Sequence, residues 1–194
     1  HRYIYPSVWP ADKLAEFGSL TDVYLKRTSG ASGRTVNTIN VIGDPCIGGT
    51  YVPGCKGLDA PNMSSLDPLL AQPSIDGIFW YTFGAGYSGW SGTEWSKTTK
   101  KPVVGGRLSL WGEAKTGSML GVGPIILNMI KLLLLGKITT DPSLADGYSL
   151  IPVHAWSHNV SDVVEVATKL AATGDFEIVT PSELMAAVIK NVAP

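Results

Sequence analysis

The chain has 194 residues, a formal net charge of −1 and 16% charged residues, whereas an ordinary globular domain has about 25%. This balance argues against a nucleic-acid partner, because phosphate binding requires a surplus of Lys and Arg. Hydrophobic residues make up 44% of the chain, enough for a core, and the long apolar run at residues 124–135 is shorter than the ~20 residues that span a bilayer. We therefore expect one domain over residues 1–194, without a membrane span.

Short strands and turns dominate the prediction for the first part of the chain. Pro10 to Phe17 is expected to form a short helix that stops near Gly18. The segment 84–92 contains four glycines together with aromatic residues and predicts a loop. Strands are expected at residues 2–5, 36–42, 75–83 and 102–111.

The last third of the chain alternates helix and strand patterns. A mostly apolar helix is expected at residues 119–135, and Thr180-Pro181-Ser182-Glu183 predicts the capped start of the final helix. A further helix at residues 160–171 lies between expected strands at residues 148–154 and 176–179. Because parallel neighbours need crossover connections, this order predicts an α/β fold with a mostly parallel sheet and crossover helices. About five such strands fit either an open α/β domain or the later part of a (β/α) barrel, which needs eight.

Cysteine and asparagine patterns favour an extracellular location. Cys46 and Cys55 enclose a loop with three glycines and a proline, which predicts a local disulfide; two unpaired thiols are the alternative. Asn62 and Asn159 begin N-x-S sequons, and Asn159 has a competing role as a helix cap. Together these features predict a secreted glycoprotein.

Three residues are the candidates for catalysis, because active residues in parallel α/β domains follow the carboxyl ends of strands. Asp44 follows the strand at residues 36–42 and suits acid–base chemistry, although Asp before Pro is also common in turns. His154 ends the strand at residues 148–154; a histidine satisfied by backbone groups is the alternative. Arg107 lies among apolar residues and needs an anionic partner, for which Asp44 is a candidate, in either a functional or a structural ion pair.

Aromatic side chains near the expected strand ends could stack on sugar rings. Tyr87 and Trp90 lie in the glycine-rich loop, and Trp156 and His158 follow His154. For the aromatic residues of the expected strand at residues 75–83, which precedes this loop, the alternative is burial in the core. The Gly84-Ala85-Gly86 pattern lacks the third glycine of a nucleotide fingerprint, and no cofactor or metal is expected.

Several segments, in order along the chain, resemble the GxGYxYP glycoside hydrolase family. Tyr3-Ile4-Tyr5-Pro6 matches the end of the motif that names the family. Further similar segments are 20–24, 40–44, 101–111, 153–158 and 177–184. The resemblance implies a polysaccharide-processing enzyme, with this chain corresponding to its barrel-like C-terminal part. It also brings Tyr5 and Trp111 into the expected substrate-binding set.

These observations leave three functional hypotheses. The first is the later part of a secreted carbohydrate-active domain that acts on or binds polysaccharide. The second is a non-catalytic glycan-binding or structural protein. It is suggested by an acidic run that the family places on an earlier strand and that has no counterpart here. The partner of such a protein would be a missing N-terminal fragment or a second copy of the chain. The third is a copper site built on the amine and imidazole of His1 with His154 or His158.

Overall fold

The computed structural model describes residues 9–42, 61–81, 92–105, 122–151 and 159–194. In these ranges the chain forms five α-helices, four strands and a 3₁₀ turn at Ala145–Gly147. The elements in chain order are α1 Ala11–Ser32, β1 Thr38–Ile42, α2 Met63–Leu70, β2 Gly77–Tyr81, β3 Thr93–Trp95, β4 Pro102–Gly105, α3 Val122–Leu134, α4 Val160–Ala171 and α5 Pro181–Asn191. None of these helices combines the length and the apolar character that crossing a bilayer requires.

The four strands form one mixed sheet in the order β1-β2-β4-β3. β1 pairs with β2 in parallel, and β2 pairs with β4 in parallel, whereas β3 is antiparallel to β4. The expected α/β class and the mostly parallel sheet are confirmed. Along the described strands the sheet is open, and a barrel is not confirmed.

Successive side chains along the strands pack on opposite faces of the sheet, as the period of two requires. Val41, Ile78 and Val103 join a cluster with Leu25 of α1 and with the apolar residues of α2. On the other face, Phe79 and Val104 pack with three residues of the C-terminal segment, namely Met185, Val188 and Val192. Helices therefore cover both faces, which is the usual arrangement for parallel strands.

Helix α1 is longer than the sequence predicts. The expected stop near Gly18 is wrong, because the helix continues to Ser32 and Gly33 ends it with φ of +65°. A side chain at Gly18 would lie 3.0 Å from Cγ of Gln72 and 3.2 Å from the carbonyl oxygen of Pro68. The glycine therefore allows α1 to approach α2 closely instead of ending the helix.

The prediction of two C-terminal strands is wrong for those of their residues that the structure describes. Residues 148–151 and 176–179 belong to no strand and no helix. The position beside β4, where the next parallel strand would pair, is occupied by β3. Leu150 instead packs on the Phe79 cluster, and Ile151 and Phe176 pack with α3 and α4.

The predictions for the C-terminal helices are confirmed. Gly136, with φ of +63°, follows the end of α3, and α4 occupies Val160–Ala171 as expected. The hydroxyl of Thr180 accepts a hydrogen bond from the N–H of Glu183, whose carboxylate accepts one from the N–H of Thr180. This reciprocal capping box fixes the start of α5.

Candidate functional site

The carboxyl ends of the three parallel strands lie side by side. Ile42 of β1 is the register partner of Tyr81 of β2, and Trp80 of β2 is the partner of Gly105 of β4. In open parallel sheets, ligands bind outside this edge. The carboxyl edge of β1, β2 and β4 is therefore the candidate site.

In the sequence, Asp44 stands two positions after the end of β1, and Arg107 stands two positions after the end of β4. Both residues lie outside the described ranges, and so does His154. The same applies to the expected substrate-binding residues and to both cysteines, so these assignments remain predictions: Tyr5, Tyr87, Trp90, Trp111, Trp156, His158, Cys46 and Cys55. All three histidines, including His1, are in this group, and the described residues contain no cluster of three metal-ligating side chains.

A row of side chains crosses the α5-facing side of the sheet near this edge. Asn40, Phe79, Val104 and Thr93 are successive register partners on the four strands. Asn40 is exposed, whereas Phe79 is 3% exposed. The hydroxyl oxygen of Thr93 is buried and has no hydrogen-bond partner in the described part of the chain. Polar groups at both ends of this row are thus available for hydrogen bonding next to an apolar centre.

Trp80 contributes a further polar atom close to the carboxyl edge. Its side chain is 5% exposed and packs in the cluster below α1 and α2. Its indole N–H is buried and unpartnered among the described residues. Buried donors normally find a partner, so this N–H is a position where an ordered water or a ligand oxygen would be stabilised.

The candidate residues predicted from the sequence do not include Asn40, Thr93 or Trp80. The period-two pattern of residues 36–42 already places Asn40 on the face opposite Ile39 and Val41. Thr93 had no such signal, because a three-residue strand such as β3 is too short for periodicity to reveal it.

Two charged side chains connect the helices to the segments that precede β2 and β4. The carboxylate of Asp22 accepts hydrogen bonds from Nζ of Lys26 at 2.7 Å and from the N–H of Ser74 at 2.8 Å. These two donors lower the pKa of Asp22 to about 2. Nζ of Lys101 donates to the carbonyl oxygen of Gln72 at 2.8 Å, and burial lowers the pKa of this lysine.

A second carboxylate fixes the turn between β3 and β4. Asp67 of α2 accepts hydrogen bonds from Oγ of Ser96 at 2.6 Å and from Oγ1 of Thr98 at 3.0 Å. Ser96 is 1% exposed and its hydroxyl also accepts from the N–H of Thr99 at 2.9 Å. Since every one of these partners belongs to the fold itself, this network positions β3 relative to α2.

The two sequon asparagines are exposed positions at helix starts. Oδ1 of Asn62 accepts a hydrogen bond from Oγ of Ser64 at 2.7 Å, immediately before α2. The N–H of Asn159 donates to the carboxylate of Asp162 at 2.9 Å, so the expected capping position of Asn159 is present. Their glycosylation remains a prediction.

Comparison with known proteins decides the family. The model of the GxGYxYP putative glycoside hydrolase C-terminal domain matches residues 2–188. The chain belongs to this family. The GxGYxYP resemblance seen in the sequence is thereby confirmed over nearly the whole chain.

A solved structure shares the fold of this GxGYxYP domain. It is described as the crystal structure of a putative hydrolase from Bacteroides thetaiotaomicron VPI-5482, with a TM-score of 0.69 and 23% sequence identity. The match covers 99% of this chain and 32% of that chain, so this chain spans about a third of its length. No curated protein matches the sequence.

Proposed function

We propose that this domain handles polysaccharide as part of a glycoside hydrolase, with the carboxyl edge of β1, β2 and β4 as its active edge. The observation that carries the proposal is the family match over residues 2–188. The adjacency of the three parallel strand ends supports the location, because such an edge collects the residues that follow each strand.

Within this proposal, Asp44 serves as the acid–base carboxylate, Arg107 orients and ionises it, and His154 transfers protons. The aromatic residues Tyr87 and Trp156 provide flat surfaces for sugar rings. Strands β1, β2 and β4 contain no Asp or Glu. The carboxylates that a glycosidase requires must therefore come from segments other than these strands.

The decisive experiment compares the wild type with Asp44→Asn on a panel of polysaccharides. Reducing-end release measures cleavage, and calorimetry measures binding to the same glycans. Loss of a general acid–base group predicts a fall of about 10²–10⁴-fold in release with binding retained. Asp12→Asn, in the exposed first turn of α1, is the matched control and should behave as wild type. Equal release by Asp44→Asn and wild type would overturn the catalytic assignment.

The absence of acidic residues from β1, β2 and β4 also favours a second candidate, a glycan-binding domain without cleavage activity. Under this alternative, wild type and Asp44→Asn bind glycans equally and neither releases reducing ends. Trp156→Ala then weakens binding, because stacking on the sugar is lost.

We further propose that the protein is extracellular, with a disulfide between Cys46 and Cys55 and glycans on Asn62 and Asn159. Peptide mass mapping of native protein under non-reducing conditions, with and without peptide N-glycosidase, tests all three modifications. Free thiols and unmodified asparagines in protein from its natural source would contradict this location.

A further inference from the structure

A cavity of about 380 Å³ lies between α3, α4, the start of α5 and the two segments 149–151 and 177–179. No residue of β1, β2 or β4 lines it. Its volume falls in the range of about 300–1,000 Å³ that is typical of small-molecule sites.

Among the described residues, the lining is apolar except for three. Ile125 and Leu170 are 3% and 1% exposed and form the buried part of the wall. Val163, Ile178 and Val179 also line the cavity but are 41%, 49% and 37% exposed. A ligand that covered these partly exposed side chains would remove apolar surface from water, which favours binding.

The polar lining carries negative charge. Its members are Ser149, Asp162 and Glu177, and none of the Lys and Arg residues that the structure describes lines the cavity. Asp162 accepts a hydrogen bond from the N–H of Asn159 at 2.9 Å. An apolar wall with two carboxylates complements a ligand with an apolar body and a positive charge.

We propose that this cavity binds a small amphiphile with a cationic head group and an aliphatic or aromatic body. The apolar body fills the space between Ile125 and Leu170, and the cationic head lies near Asp162 and Glu177. The strands whose carboxyl ends form the proposed sugar-binding edge do not line this cavity, and the proposal does not depend on glycoside hydrolysis.

The test uses octyltrimethylammonium as the probe and octyl sulfate, with the same chain and the opposite charge, as the reference. Both are titrated into the full chain below micelle-forming concentrations, followed by calorimetry and by NMR of Ile, Leu and Val methyl groups. We expect saturable binding of the cation, with the shifts concentrated at Ile125, Ile178 and Leu170. Equal affinity for octyl sulfate would overturn the proposal.

Substitutions separate the cavity from the general surface. Ala167 lines the cavity on α4, and Ala171 is an exposed residue of the same helix that does not. Ala167→Phe fills the space and should weaken binding of the probe by about tenfold or more, whereas Ala171→Phe should leave it within about twofold. Val163→Trp, at a partly exposed position, blocks the cavity without overfilling the core and should act like Ala167→Phe even if that variant is unstable.

Charge substitutions test the head-group assignment. Glu177→Gln should weaken the cationic probe by about two- to fivefold, the size of one exposed charge interaction. Glu165→Gln, which removes an outward-facing partner of Lys169, should leave the affinity unchanged. Equal weakening by both variants would contradict a specific role for Glu177.

Two further outcomes bear on the proposal. Concentration-dependent dimerisation that Val163→Trp abolishes would show that a second copy covers the cavity, and would overturn the small-ligand assignment. Unchanged probe binding in Asp44→Asn would support a site independent of the sugar-binding edge, whatever the outcome for hydrolysis.

Discussion

Gly77 at the start of β2 is the position where one added methyl group should disturb the core most clearly. A Cβ atom there would lie 2.3 Å from Sδ of Met185, 2.6 Å from its Cε and 3.0 Å from the carbonyl oxygen of Pro102. Met185 is 0% exposed. Because nonbonded carbon atoms prefer separations of about 3.5–4.0 Å, the buried Met185 side chain must move by more than about 1 Å.

The magnitude follows from two opposing effects. Overpacking a well-packed core costs about 1–3 kcal/mol, and the short sulfur distance together with the backbone oxygen places Gly77→Ala in the upper half of that range. The smaller backbone entropy of unfolded Ala offsets about 0.4–1 kcal/mol. We therefore expect a net loss of about 1–2.5 kcal/mol, which for a chain of this size lowers Tm by about 2–10 °C.

Urea unfolding followed by tryptophan fluorescence, together with thermal unfolding by circular dichroism, measures the effect. Gly30→Ala is the matched control, because Gly30 lies in the exposed part of α1 with nothing within 4 Å of its Cβ position. That substitution should stabilise the chain by about 0.5–1 kcal/mol through helix propensity.

A double-mutant cycle identifies the cause of the loss. Met185→Ala alone should cost about 2–5 kcal/mol, as truncation of a buried methionine does. Gly77→Ala combined with Met185→Ala should cost less than the two losses together, because the truncated side chain no longer clashes. A Gly77→Ala variant as stable as wild type, or strictly additive losses, would refute the packing argument.

Three other substitutions test local interactions. Lys26 and Ser74 hold the pKa of Asp22 at about 2, below its ordinary value of 3.8. The ionised carboxylate therefore stabilises the fold above about pH 4, and this contribution is lost as the pH falls toward 2. Asp22→Asn should flatten the dependence of Tm on pH between these two values. Thr180→Ala removes the N-cap of α5 and should cost about 1 kcal/mol in urea unfolding. Gly33→Ala places a side chain at φ of +65° and should cost about 1 kcal/mol in the same assay.

For each of these three predictions, one specific result would contradict the reasoning. If the Tm of Asp22→Asn differs from that of wild type by the same amount at every pH, so that the slope below pH 4 is unchanged, the ionisation of Asp22 is not coupled to folding. Thr180→Ser should keep the cap, so equal losses for Ser and Ala would exclude the hydroxyl as the cause. Gly33→Asn should be tolerated better than Gly33→Ala, since Asn enters the left-handed region more readily.

The family and the helix boundaries near the C-terminus were predictable because their signals are local. The capping box at Thr180 and Glu183, and the apolar stripe of residues 160–171, depend on side chains within a turn or two of each other. Likewise, the period-two pattern of residues 36–42 predicted β1, and with it the position of the strand end that Asp44 follows in the sequence.

The errors share a different cause. Glycine is a residue type that often ends helices, yet Gly18 lies inside α1, where it packs against Pro68 of α2 and Gln72 just after α2. The segments 148–151 and 176–179 have apolar patterns suited to strands, but β3 occupies the edge of β4 where a further parallel strand would pair. Neither outcome can be read from neighbouring residues.

The sequence by itself determined the family, the α/β class and the starts of the last two helices, because each depends on short-range side-chain patterns. Only the tertiary structure decided which strands pair, how close α1 comes to α2, and that a carboxylate-bearing cavity lies between α3, α4 and the start of α5. Strand pairing and helix packing join segments that are distant in the chain, and steric fit and hydrogen bonding in three dimensions determine which segments come together.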